Sequence, residues 1–99
     1  MFAIIQECSV THMLHYVQPG ALTGVAGGGP GIRMMYANHA DAERAAEKLR
    51  VENATRVEQT KRQRKFKTHP CTYEIVEMSH EKAVEISERH RKNQAARFA

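Results

Sequence analysis

The chain has 99 residues, a formal charge of +4 and 41% hydrophobic residues. That is enough for one small domain over residues 1–99, with few large apolar side chains to fill its core. The longest apolar run falls far short of the ~20 residues that cross a bilayer, and the start turns polar at Gln6 and Glu7 with no basic leader. Membrane and secreted classes are therefore not expected. Two distant cysteines, Cys8 and Cys71, suit a reduced, cytoplasmic setting.

Residues 2–8 are short and rich in β-formers, which predicts a strand with Phe2, Ile4 and Gln6 on one face and Ala3, Ile5 and Glu7 on the other. A second apolar piece, residues 14–17, extends it into a hairpin. Residues 18–31 hold all six glycines and two of the three prolines. Such a stretch loses much entropy on ordering and has little to bury, so a flexible loop is expected, hinged at Gly27 to Gly31. Residues 32–37 alternate as a strand, with Ile32, Met34 and Tyr36 opposite Arg33 and Met35.

Asn38, three residues ahead of Asp41, has the spacing of a helix cap. Ala42, Ala45, Ala46 and Leu49 then recur at helical spacing. Opposite charges four apart favour continuation of this helix to about Arg64 as a solvated rod. His69-Pro70 ends the segment. Residues 72–78 alternate as a strand, and Ser79 caps a second helix with Ala83, Val84, Ile86 and Ser87 inward. The tail, residues 89–99, is basic and is expected to fray after Asn93.

These elements predict an α+β fold, a two-layer sandwich with a mainly antiparallel sheet of three to four strands and two helices on one face. A core this small makes a homodimer the expected oligomer. The element order resembles that of short phage-encoded reading frames, and no motif or function is carried over with it.

Residues 61–67 read Lys-Arg-Gln-Arg-Lys-Phe-Lys, five cations in seven residues. The rest of the chain therefore sums to slightly negative, and its basicity is local. Lys61, Arg62, Arg64, Lys65 and Lys67 are candidates to neutralise phosphates, with Phe66 stacking on a base and Arg89, Arg91, Lys92 and Arg97 adding charge from the tail. The competing expectation is a solvated helix end with Phe66 turned into the core. Its orientation separates the two.

Gly27, Gly28 and Gly29 expose backbone amides, but no Gly-Lys-Ser/Thr follows and the next element is a strand, so a nucleotide-binding loop is not indicated. With Arg33, they could instead supply the contact of a protein-binding loop. Cys8, His12, His69 and Cys71 would converge if their strands were neighbours, and such donors suit zinc. Their spacing matches no common zinc knuckle, so no metal or other cofactor is expected. A Cys8–Cys71 disulfide is disfavoured in a reducing compartment. Six histidines and several glutamates form no recognisable nucleophile–base–orienter set, so no enzyme is expected.

The leading expectation is a small non-catalytic protein that uses a basic edge to engage nucleic acid, a ribonucleoprotein or an acidic protein surface. The alternative is an inhibitor or adaptor that docks on a protein through the glycine-rich loop and a sheet edge, including a phage-encoded one directed at a host enzyme or defence complex.

Overall fold

The computed structural model describes residues 1–18, 21–25 and 34–98. Its strands are β1 (Phe2–Cys8), β2 (Leu14–Gln18), β3 (Ala21–Val25), β4 (Met35–Tyr36) and β5 (Cys71–Glu77). Its helices are α1 (His39–Thr60) and α2 (His80–Phe98).

β1 is the central strand. β5 pairs antiparallel with its whole length, from Phe2↔Glu77 to Cys8↔Cys71. On the other edge β2 pairs with residues 5–7 and β4 with residues 2 and 3, so these two strands share one edge end to end. β3 extends the sheet beyond β2. The sheet is therefore four strands wide and antiparallel in every pair. β4 and β5 both oppose β1 and so run parallel to each other, joined by α1 with β1 between them.

The predicted α+β class is what the protein adopts, with both helices packed on the sheet. Their distribution differs from the expected two-layer stack. Alternation sends Ala3 and Ile5 to one face, where they pack with Leu14, Tyr16, Val76 and Ile86 of α2. It sends Ile4 to the other, where it packs with Val17, Tyr73 and Ala42 and Ala46 of α1. One helix covers each face, because the central strand is apolar on both sides through most of its length.

Three further differences have local causes. Ala21–Val25, placed by composition inside a loop, is a strand paired to β2, whose ladder supplies backbone partners that composition does not reveal. Of the predicted strand at 32–37, the described residues 34–37 are strand only at Met35–Tyr36, and residues 26–33, including Gly27, Gly28, Gly29 and Arg33, lie outside the described residues. Asn38 has the extended backbone of a cap, but its side chain bonds to the Asp41 carboxylate rather than to a free amide.

α1 ends at Thr60 rather than near Arg64. α2 begins as expected, with the Ser79 hydroxyl accepting from the Lys82 amide at 3.0 Å. It continues without fraying to Phe98. Its buried positions are Ile86 and His90, one turn apart, whereas Val84 is 42% exposed. His90 stands inside because its Nδ1 accepts the Leu14 amide at 3.2 Å, which fastens α2 to β2.

Candidate nucleic-acid interface

Both helices start near the Phe2 end of the sheet and run toward its Cys8 end. For α1, the Asn53 amide fixes the level. Its Oδ1 accepts the Cys71 N–H at 3.0 Å, and its Nδ2 donates to the His69 carbonyl at 3.2 Å. From Asn53 to Thr60 the helix continues for seven residues, roughly 10 Å at 1.5 Å per residue, past the start of β5. For α2, Asn93 and Gln94 donate to the carbonyls of His12 and Thr11 in the β1–β2 turn, and the last helical residues lie beyond them.

The basic run caps the projecting tip of α1. Thr68 N–H donates to Thr60 Oγ1 at 2.9 Å, closing residues 61–67 into a short loop. All seven residues of that loop are exposed. Phe66 is 91% exposed and has φ 60°, a left-handed conformation that costs a non-glycine residue roughly 1–2 kcal/mol. The ring is therefore outside the core. Lys61 is paired with Glu58, but among the described residues Arg62, Arg64, Lys65 and Lys67 stand in no ion pair.

The tail cations divide. Arg89 is not a free charge: its guanidinium bridges Glu7 at 2.6 Å and Glu74 at 3.1 Å on the α2-covered face. Its hydrogen bond to Glu7, and after it that to Glu74, raises its pKa against the effect of burial. Two carboxylates on neighbouring strands leave a gap in the apolar face that one bidentate cation fills. Arg91 and Lys92 are exposed and in no ion pair among the described residues. Sequence reasoning missed Phe98, 77% exposed at the end of α2 with the Arg97 guanidinium 5.3 Å from its ring centroid. An aromatic next to an arginine repeats the composition of the α1 tip, and that was the available signal.

One end of the molecule thus carries two exposed phenylalanines, each beside basic residues, one from each helical layer. Both helices also direct their electronegative C-terminal ends there, which favours cations at those positions.

The remaining candidates separate clearly. Cys8 and Cys71 come together across β1 and β5. His12 Nδ1 instead meets Glu7 Oε2 at 3.0 Å. Among the described residues no three histidine, cysteine or acidic side chains converge as a metal site would require. On the outer edge of β5, the Cys71 N–H is taken by Asn53 and the Tyr73 carbonyl accepts from Arg50 Nη2 at 2.8 Å. No described helix is long and apolar enough to cross a membrane. In comparisons with protein-family models, curated proteins and solved structures, nothing matches the chain.

Proposed function

We propose that the protein is a non-catalytic nucleic-acid-binding protein that engages a single strand, free or within a ribonucleoprotein, through the loop at the tip of α1. The observation that carries this is the outward Phe66, held among Arg62, Arg64, Lys65 and Lys67. Cations on such a loop neutralise phosphates while a flat ring offers a stacking surface for a base. A projecting position lets a strand pass without clashing with the sheet, and Phe98 with Arg97 supplies a second contact of the same chemistry. The alternative, a protein-binding inhibitor docking by strand addition, is less well supported at β5, because α1 already occupies part of that edge.

The test is fluorescence anisotropy of a labelled single-stranded oligonucleotide across salt concentrations. Four engaged cations give a log–log slope of about −3, at about −0.7 per phosphate. Phe66→Ala weakens binding roughly 5- to 150-fold, since stacking contributes roughly 1–3 kcal/mol per base, and leaves the slope unchanged. Reversing Arg62, Arg64 and Lys65 to glutamate abolishes binding. Equal affinity of that triple variant and the parent at low salt would remove the proposal. Salt-insensitive capture of a protein would favour the inhibitor instead.

A further inference from the structure

Cys8 and Cys71 are directly opposite each other in the β1–β5 ladder, and alternation puts both on the α1-covered face. Ser9 N–H donates to the Pro70 carbonyl at 3.0 Å, so the ladder bonds flank this pair rather than join it. In an antiparallel sheet that is the closer kind of pair, with Cα atoms about 4.5 Å apart and side chains in contact. This separation lies within the range a disulfide spans without backbone movement. Both cysteines are free, and neither is fully buried.

The surroundings of the two sulfurs differ. Cys8 Sγ faces the β1–β2 turn, where the Thr11 N–H donates to it at 3.5 Å. Burial opposes ionisation of this thiol, but hydrogen bonds from the side chain and backbone of Thr11 and from the Val10 backbone outweigh it, and its pKa is lowered. Cys71 Sγ lies 3.5 Å from the His69 carbonyl, to which it donates, and 3.6 Å from Gln6 Nε2. Burial first, then the charge of the neighbouring Cys8, push its pKa up to about 11. Cys8 is therefore the more readily ionised of the two thiols.

We propose that Cys8 and Cys71 form a reversible thiol–disulfide couple that reacts with low-molecular-weight disulfides, Cys8 attacking first and Cys71 resolving. The Cys8 thiolate displaces one small thiolate and is left as a mixed disulfide. That thiolate takes the Cys71 proton, and the Cys71 sulfur then attacks the Cys8 sulfur. The second small thiolate leaves and is protonated by solvent, which had received the proton from Cys8. The protein loses two electrons and two protons, and the small disulfide becomes two thiols. The cross-link joins β1 to β5 beside Asn53, at the base of the α1 tip.

The test is incubation of the reduced protein with oxidised glutathione, followed by acid quench, intact mass and peptide mapping. The expected product is a monomer about 2 Da lighter, with Cys8 linked to Cys71, and dithiothreitol restores it. Cys71→Ser accumulates the mixed disulfide at Cys8, and Cys8→Ser reacts about tenfold more slowly. Should either variant fail to fold, alkylation of the parent decides: Cys8 is modified faster than Cys71 in the native protein, and in urea the difference disappears. A persistent mixed disulfide in the parent, interchain dimers, or equal native alkylation rates would overturn the couple.

Discussion

His90 shows how much one buried side chain can decide. It is 8% exposed, and its ring accepts the Leu14 amide from the neighbouring layer. Burial, and secondarily the nearby His15, lower its pKa, so the fold holds the ring neutral. Above the ordinary value of 6.5 both folded and unfolded states are neutral and its contribution is intact. As pH falls from there toward the lower folded value, the unfolded chain binds a proton that the fold resists, and stability declines. Urea midpoints are therefore expected to drop between pH 7.5 and 5.5, and His90→Gln should flatten that drop. Replacement by alanine leaves the Leu14 amide without its partner and costs about 1–3 kcal/mol.

Glu7 works in a different window. The hydrogen bond with His12, and after it Arg89, hold its carboxyl below the usual 4.5 against the effect of burial. Its contribution is present above that value and is lost as pH falls through the lower folded one. Phe66 gives the complementary case, a residue whose conformation is unfavourable. Phe66→Gly relieves the left-handed backbone and should leave thermal stability unchanged or raise it by up to about 1 kcal/mol, while oligonucleotide binding weakens. A ring placed there for stability would give the opposite result.

Among the elements, α1 has the most demanding placement. Ala42 and Ala46 are fully buried and let it lie close to the sheet, but its second half is almost wholly polar and is held by Asn53 and Arg50. Asn53→Ala removes two hydrogen bonds at once and is expected to cost about 1–3 kcal/mol, measured by chemical denaturation. Asn53→Asp, which keeps the acceptor for the Cys71 amide, should cost less. If alanine is neutral, the position of the basic loop depends on something other than this clasp.

The alternating strands β1 and β5 and the alanine stripe of α1 were legible because each pattern is local and periodic. β3 was not: Ala21–Val25 contains a glycine and follows a proline, and only pairing with β2 makes it a strand. Nor does periodicity say which face of a sheet a helix takes. The inner position of His90 was hidden for a related reason, since its partner is the Leu14 amide far away in sequence.

At the scale of the molecule, the asymmetry of charge was legible in residues 61–67, but its availability was not. Sequence alone could not distinguish Arg89, tied to Glu7 and Glu74, from Arg91 and Lys92, which are free of ion pairs among the described residues. Nor could it say that Phe66 would turn outward, or that Phe98 would come to the same end on the opposite layer. Those facts depend on where two helices stop. Arg89→Ala should therefore reduce stability modestly, by about 1 kcal/mol for a partly exposed bridge, and leave the salt slope of oligonucleotide binding unchanged. A reduced slope would instead count Arg89 among the ligand contacts.

The central place of β1 has a consequence for how the protein is made. During synthesis Phe2–Cys8 is made well before its neighbour along its full length, Cys71–Glu77, with β2, β3, β4 and α1 translated between them. Until then an apolar ribbon has one bare margin, open to pairing with strangers. Folding should accordingly be slow for so short a chain, and most vulnerable to aggregation while the ribosome is still translating α1.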